Sequence, residues 1–321
     1  MNTRSSIVTC LLTLGTFFWG IGCNSNGETN SPSIGAVSGR KVLASVPHAT
    51  GTRIVWLDID TGAATPLHES NLECSGSSLS PDGHLLAFCE FDKDKVQLRV
   101  VDLVSKETYQ LPIGSGSPNS PVFTDNEHLI FVVAQRLRPY SMGGQIWDDM
   151  DVASYSFADK SVTLLTHSKY RVIRSLTYSP AAHKIAFSAQ NCGSPTPVIS
   201  MAKVVDDALS DIRELPIRFN ENAKANEWII DPAFSPDAST LAFVSNHLFT
   251  DGTYSYEVWT SKPDGSQPFL VTHNRGLNSH PAFSGDGKVI VYVSQPKFGE
   301  NSEIWRVNVD GSSARKIEIM K

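Results

Sequence analysis

The side chains that could do chemistry in this sequence are scattered rather than grouped. The chain has no Gly-x-Ser-x-Gly nucleophile elbow, no His-Glu-x-x-His zinc motif, no Cys-x-x-Cys pair and no glycine-rich phosphate loop. Asp58 and Asp60 have the spacing of calcium-loop carboxylates, as do Asp92 and Asp94, but the terminal Glu of such a loop is missing. Strand-connecting turns explain these pairs better. We therefore expect no catalytic residue, no metal and no cofactor.

Two of the nine histidines recur in one context. His167 ends Leu-Thr-His and His273 ends Val-Thr-His. A pair of histidines could ligate a metal, but recurrence at equivalent places of a repeat accounts for them without that role. To decide what positions such residues, the elements of the fold must be identified first.

One short sequence recurs along the chain, and it has the form of a β-hairpin. A Pro-Asp-Gly or similar turn stands between two apolar runs, which bends the chain back on itself. The clear copies are Leu79-Ser-Pro-Asp-Gly-His-Leu-Leu-Ala-Phe88, Tyr178-Ser-Pro-Ala-Ala-His-Lys-Ile-Ala-Phe187, Phe234-Ser-Pro-Asp-Ala-Ser-Thr-Leu-Ala-Phe243 and Phe283-Ser-Gly-Asp-Gly-Lys-Val-Ile-Val-Tyr292. A shorter copy runs from Phe123 to Phe131, and a remnant from Gly39 to Ser45.

The spacing of these hairpins predicts an all-β, six-bladed β-propeller of four-stranded antiparallel blades. The anchors Ser80, Thr124, Ser179, Ser235 and Ser284 are 44, 55, 56 and 49 residues apart, and a second strand pair follows each hairpin. Four strands per repeat is typical of propeller blades. A β-sandwich also has short strands and many turns, but it gives no reason for one hairpin sequence to recur.

The repeat resembles that of the TolB-like propellers. The resemblance rests on an aromatic-Ser-Pro-Asp-Gly hairpin followed by an Ile-Trp and Asp-Gly segment, which Tyr256–Thr272 and Glu303–Ile317 carry well. It covers roughly residues 40–319 and weakens over 118–150 and 190–227. The extra amino-terminal domain of the colicin-associated protein is not expected here. Ile34–Val37 is the candidate for the first inner strand; if it pairs, the ring closes without a strand from the carboxyl end, and otherwise blade one has three strands.

In a propeller the innermost strands line a central channel, so the residues early in these strands are candidates for a binding site. The position four residues before each hairpin Ser or Thr holds Gly76, Ser120, Ser175, Asp231 and His280. Asn119 and Arg174 stand one position earlier in their strands. We predict channel-mouth binding by Asn119, Arg174, Asp231 and His280, with an anion, a sugar or a peptide end as the ligand. A water-filled channel mouth is the alternative.

Aromatic residues in the less repetitive segments suit a partner surface. We expect Trp147 and Trp228 to serve this role, with Tyr140 and Phe249 nearby in the sequence. The alternative for Trp228 is an ordinary place in the core.

The cysteines suggest a disulfide. A hairpin centred between Pro81 and Asp82 places Cys74 opposite Cys89, and an exported protein matures where disulfides persist. We predict a Cys74–Cys89 bridge, with two buried thiols as the alternative, and Cys192 is left over. A one-residue bulge would break this register.

The amino-terminal segment has the layout of an export signal. A single Arg4 precedes an uncharged apolar run that ends at Gly22, shorter than a membrane-spanning helix. Gly20-Ile-Gly-Cys23 resembles the lipobox of bacterial lipoproteins, which implies lipidation of Cys23; plain secretion is the alternative. We predict a signal peptide over residues 1–22, a flexible tether over 23–39 and the propeller over 40–321. Asn24, rather than Asp, after this Cys resembles the outer-membrane sorting signal of lipoproteins in species that use that rule.

The net charge of the chain argues against one class of partner. The chain has 27 basic and 33 acidic residues, a formal charge of −6, and no basic block, so nucleic acid is not expected as a partner. These observations predict a membrane-anchored, periplasm-facing lipoprotein that binds envelope protein or peptide without catalysis. The alternative is an enzyme that resembles oligogalacturonate lyases, propellers that act on acidic sugars with a metal held by histidines.

Overall fold

The computed structural model describes ten stretches of the chain. They are residues 32–93, 95–114, 116–139, 145–167, 170–191, 196–206, 208–219, 228–248, 252–297 and 299–320. Within them there are twenty-four β-strands and no helix.

The strands fall into six groups of four that follow one another along the chain, each ordered from the centre outward. Blade one contains β1 Ser33–Ser38, β2 Lys41–His48, β3 Gly51–Asp58 and β4 Ala64–Ser70, and blade two contains β5 Glu73–Leu79, β6 Leu85–Asp92, β7 Lys95–Asp102 and β8 Thr108–Gln110. Blade three contains β9 Ser117–Phe123, β10 His128–Pro139, β11 Gln145–Ser156 and β12 Ser161–Leu164, and blade four contains β13 Tyr170–Ser179, β14 Lys184–Asn191, β15 Val198–Val205 and β16 Ala208–Glu214. Blade five contains β17 Ile229–Phe234, β18 Leu241–Leu248, β19 Tyr254–Ser261 and β20 Phe269–Leu270, and blade six contains β21 Leu277–Phe283, β22 Val289–Gln295, β23 Glu303–Asn308 and β24 Arg315–Lys316.

The innermost strands form a closed ring. Each of β1, β5, β9, β13, β17 and β21 contacts the next, and β21 contacts β1. Single residue pairs also link blade three to blade four, where Met150 lies opposite Tyr170, and blade five to blade six, where Tyr256 lies beside Leu277. The predicted all-β propeller of four-stranded antiparallel blades is confirmed.

Buried serines explain why the hairpin sequence recurs. The Ser80 hydroxyl donates a hydrogen bond to Asp82 Oδ1 at 2.6 Å and accepts one from the Leu85 N–H at 2.9 Å. These bonds pair the polar groups of the turn between the first and second strands of the blade. Ser235 and Ser284 make the same two bonds in blades five and six. The fourth turn residue is left-handed, as at Gly83, where φ is 74° and glycine is favoured. The turn chemistry is therefore local, and the sequence alone reveals it.

Apolar clusters fill the gaps between neighbouring blades. One joins blade six to blade one through Val42, Leu57, Val289, Val291 and Ile304, and five others are arranged in the same way around the ring. Because each blade buries both faces, its middle strands read as nearly continuous apolar runs. This packing holds the channel-lining strands in place.

The pairing of β1 shows how many strands the first blade has and how the ring closes. β1 pairs with β2, with Ile34 opposite Ala44, so blade one has four strands of its own and no strand is exchanged. The propeller thus begins inside the segment predicted as a tether, and the boundary expected at residue 40 is wrong. The carboxyl end adds only a short bridge, in which the Met320 N–H donates to Gly62 O at 2.9 Å.

The predicted disulfide is also wrong. Cys74 lies opposite Glu90 and Cys89 opposite Ser75, because the register of β5 shifts between Ser75 and Ser78. The two thiols are free and buried, and they belong to different apolar clusters on the two faces of the sheet. Burial raises the pKa of Cys74 to about 12 and raises the pKa of Cys89 as well, so neither is a reactive thiolate at neutral pH.

Candidate functional site at the channel mouth

The strand directions give the ring two unlike ends. The inner strands begin at one end, here called the loop face, and run to the hairpin turns at the other, here called the turn face. Connections between blades also lie on the loop face, whereas the turn between the third and fourth strand of each blade lies on the turn face. The predicted channel residues occur in the inner strands, on the side of the loop face.

A β-bulge marks the same level of every inner strand. Pairing with the second strand shifts there in all six blades. Gly76, Ser120, Asp231 and His280 have φ between 49° and 62°, the left-handed region that most residues avoid. Such bulges re-aim side chains and are common at binding sites. The column read from the sequence is therefore a real structural level, although its backbone conformation was not predicted.

Hydrogen bonds join this level across three blades. The Asp231 N–H donates to Ser175 Oγ at 3.1 Å, and the His280 N–H donates to Asp231 Oδ2 at 3.0 Å. Each side chain thus binds the left-handed residue of the next blade. Three consecutive blades are locked together at this level, so their side chains are held in fixed relative positions.

Arg174 and Trp228 form the centre of the same region. The Arg174 guanidinium carbon lies 4.8 Å from the centroid of the Trp228 ring, a cation–π contact. Burial lowers the pKa of Arg174, while Tyr256 and Asp231 act on it in the opposite direction. The backbone N–H of Trp228 donates a hydrogen bond to Asn246 Oδ1 at 2.6 Å. This bond holds the residue whose ring lies against the Arg174 guanidinium.

The polar atoms at this level include His280 Nδ1 and Asn119 Oδ1, which are buried without a hydrogen-bond partner among the described residues. An unmade hydrogen bond at a buried polar atom costs about 1–3 kcal/mol. A water molecule or a ligand that bonded to these atoms would offset this cost. We name the set Asn119, Arg174, Ser175, Asp231 and His280 the channel-mouth arc.

The two predicted partner-surface tryptophans lie in similar surroundings in different blades. Trp228 and Trp147 are each partly buried, and each packs against an apolar cluster between two blades. Trp147 stands in β11, which with β10 forms a hairpin of twelve-residue strands, longer than the hairpins of the other blades. Arg138 and Arg136 bind Asp148 close to the tip of this hairpin. Both tryptophans therefore combine a core contact with a remaining exposed part.

Sequence reasoning missed two buried carboxylates. Asp151 and Glu257 are completely buried, and each accepts a hydrogen bond from a threonine, Thr166 at 2.7 Å and Thr272 at 2.5 Å. These threonines precede His167 and His273, so the recurring Leu-Thr-His and Val-Thr-His were a signal for this contact. Repeat geometry explains the recurring histidine, and the threonine before it makes the contact with the buried carboxylate.

Other predicted features fall outside what can be described. Cys23, Tyr140, Cys192 and Phe249 lie outside the described residues.

Within the described residues, no three His, Cys, Asp or Glu side chains are grouped to hold a metal ion. No helix in that part of the chain is long and apolar enough to cross a membrane.

Comparison with known proteins agrees with this architecture. No protein-family profile matches the chain. A TolB homologue of Chlorobium luteolum is 23% identical over 165 residues, which are 51% of this chain and 33% of that protein. The crystal structure of TolB from Acinetobacter baumannii superposes with a TM-score of 0.61 at 14% identity, covering 90% of this chain and 63% of the other. An oligogalacturonate lyase in complex with manganese superposes with a TM-score of 0.53 at 18% identity, covering 86% and 73%.

The fold defines a TolB-like β-propeller. The chain aligns with only about a third of the Chlorobium protein's length, and the structural matches have low identity, so the likeness establishes the fold. What this chain binds must be argued from its own residues.

Proposed function

We propose that this chain is an exported lipoprotein of the bacterial cell envelope whose propeller is a non-catalytic binding module for protein partners. The observation that carries the binding role is the channel-mouth arc, where buried polar atoms of neighbouring blades meet at one level. Rigid scaffolds that present polar groups in a concave mouth commonly bind ligands there. The TolB relatives support a place in the envelope, and the sequence around Cys23 supports a lipid anchor.

The aromatic residues beside the arc extend the proposed surface. Trp228 lies under Arg174, and Trp147 stands on the long hairpin of blade three. Tryptophan and arginine dominate the binding energy of many protein interfaces because they bury large areas and still form polar contacts. A partner that covers the loop face would meet both tryptophans.

Substitution of the tryptophans tests this surface. We expect Trp228→Ala and Trp147→Ala each to weaken partner recovery about tenfold or more when the full-length protein is captured from detergent-solubilised envelopes. Because each ring also packs on a core cluster, thermal unfolding must show that the variant is folded at the assay temperature. Tyr109→Ala, at an exposed aromatic of the outermost strand of blade two, is the control. Equal recovery by all three variants would remove the loop face as the binding surface.

The lipid anchor has its own test. We expect Cys23→Ser to move the protein from the membrane to the soluble fraction, because a serine hydroxyl does not replace the lipidated thiol. The measurement is fractionation of cells that express each form, with mass spectrometry of the amino-terminal peptide. An unmodified Cys23 in the membrane fraction would contradict lipidation, while leaving the Trp228 test unaffected.

The alternative, an enzyme that acts on acidic sugars, has one observation in its favour. Arg174 and His280 lie on the same arc, and a manganese-bound lyase shares the fold. Such a lyase needs grouped metal ligands, and the described residues bring a single histidine to the arc. Release of unsaturated uronides by the full-length protein with added manganese would replace the binding proposal.

A further inference from the structure

The turn face has a second feature, which becomes visible when two neighbouring seams are compared. Blades six and one meet at a cluster around Asp60. Arg40 donates to both Asp60 carboxylate oxygens at 2.7 Å, and Arg306 binds the same carboxylate. Arg306 also donates to Ile59 O at 3.2 Å, and Arg315 donates to Asp60 O at 2.9 Å. We name this cluster the Asp60 latch.

The seam between blades five and six has the same backbone but different side chains. In blade six Arg306 pairs with Arg315 across β23 and β24, and in blade five Thr260 pairs with Phe269 at the corresponding place. Asp310 corresponds to Asp60, because the residue before each donates its N–H to the residue that precedes the second strand of its blade. A threonine and a phenylalanine therefore stand where the latch has two arginines.

The missing arginines leave a cleft. A space of about 440 Å³ opens on the turn face, and its lining includes Thr260, Lys262, Phe269, Val309 and Asp310. Phe269 is 49% exposed. The volume lies in the range of small-ligand sites.

The groups that receive arginine at the latch are present and available in this cleft. Asp310 accepts hydrogen bonds from Ser312 through Oδ1, and no ion pair within the described residues involves it. The carbonyls of Val309 and Asp310 correspond to those of Ile59 and Asp60, which accept from Arg306 and Arg315. No turn or loop hydrogen bond among the described residues uses these two carbonyls.

The chemistry of this set selects the ligand. Carboxylate and carbonyl oxygens are acceptors, whereas a guanidinium carries five donors and no acceptor. The exposed face of Phe269 can also stack on a guanidinium. Lys262, the cation among the lining residues, has the Asp264 carboxylate beside it to offset its charge. The cleft thus suits a positive, planar group.

We propose that the cleft between blades five and six binds an arginine side chain presented by a protein partner, in the place that Arg306 and Arg315 fill at the latch. The surface is separate from the channel mouth, on the opposite end of the ring. Its test therefore does not depend on which partner the loop face binds.

The test uses the full-length protein in detergent micelles with labelled valine methyl groups. Val309 lines the cleft, so its methyl resonances report on occupancy. We expect N-acetyl-arginine methylamide to shift these resonances saturably. The citrulline analogue is neutral and nearly isosteric, and we expect its affinity to be lower by about tenfold or more. Equal shifts by the two compounds, or no saturable shift by the arginine compound, would overturn the proposal.

Two variants sharpen the result. Asp310→Asn keeps an acceptor for Ser312 and removes the charge, and we expect a loss of about tenfold or more in affinity. Thr260→Arg combined with Phe269→Arg rebuilds the latch within the chain and should abolish binding. Asp102→Asn, at a turn carboxylate of blade two, is the matched control and should bind as the unaltered protein does. Unchanged affinity in Asp310→Asn would contradict the assignment even if the double variant fails to fold.

Discussion

Glu257→Ala is expected to cost about 4 kcal/mol of folding free energy and to lower the melting temperature by about 10 °C. Glu257 is fully buried and accepts four hydrogen bonds. They come from the Ser255 and Thr272 hydroxyls, the Asn278 amide and the Arg275 backbone N–H, at 2.5 to 3.1 Å. Removing the carboxylate leaves these donors buried without an acceptor, and this is why the loss exceeds that of a surface charge.

The same substitution should disturb the channel mouth. Thr272 and Arg275 lie in the connection from blade five to β21, Asn278 lies in β21 itself, and β21 also carries His280. Glu303 occupies the corresponding place in blade six, but it is partly exposed and pairs with Lys316 at 3.0 Å. Glu303→Ala is therefore the matched control, with an expected loss of about 0.5 kcal/mol. Chemical denaturation measures both, and equal losses would show that Glu257 does not organise the connection.

Asp60→Ala is expected to cost about 2 kcal/mol and about 5 °C, because the latch loses its central carboxylate. Two arginines, Arg40 and Arg306, then face each other without the charge that binds both, and Arg306 is only 12% exposed. Residues 246 positions apart in the sequence are joined here, so the loss falls on ring closure. Hydrogen exchange should accelerate first in blades one and six.

The latch also predicts a pH dependence. Hydrogen bonds from Arg40, opposed in part by burial and reinforced by Arg306, lower the pKa of Asp60 to about 2. A carboxyl whose pKa is depressed on folding stabilises the protein above its unfolded pKa and loses that contribution as the pH falls towards the folded value. The stability difference between Asp60→Ala and the unaltered protein should therefore shrink as the pH falls below about 4 and vanish as the pH falls through about 2. Asp310→Ala removes the corresponding carboxylate, which forms no ion pair among the described residues; hydrogen bonds from Ser312 lower its pKa, so we expect a pH dependence of the same sign but smaller. A pH-independent difference for Asp60→Ala would contradict an ionic latch.

Repetition made most of the fold readable from the sequence. The serine of each hairpin bonds to residues two and five positions later, so its pattern is local and survives in the order of residues. The positions of the inner strands followed from counting back from these serines. The column that includes Asp231 and His280 was therefore found correctly as one level of the ring.

The sequence did not predict the strand register where the backbone departs from regular pairing. The prediction of a Cys74–Cys89 bridge assumed a regular ladder, and the bulge at Gly76 and Ser77 displaced it. Side-chain alternation gives no warning of such a bulge, since a left-handed residue can be serine, aspartate or histidine as readily as glycine in this chain. The pairing of the candidate first inner strand, Ile34–Val37, stayed open for a related reason, because the hairpin sequence that follows it survives only as the remnant from Gly39 to Ser45.

The sequence by itself determined the all-β class, the hairpin turns and the order of the blades, because these depend on contacts between residues close along the chain. Only the tertiary structure decided which residues meet across blades: Ser175 with Asp231, Asp231 with His280, and Asp60 with Arg306 and Arg315. These contacts join residues from about fifty to more than two hundred positions apart, and the packing of neighbouring blades and the closure of the ring bring them together. Periodicity within a strand carries no information about such partners.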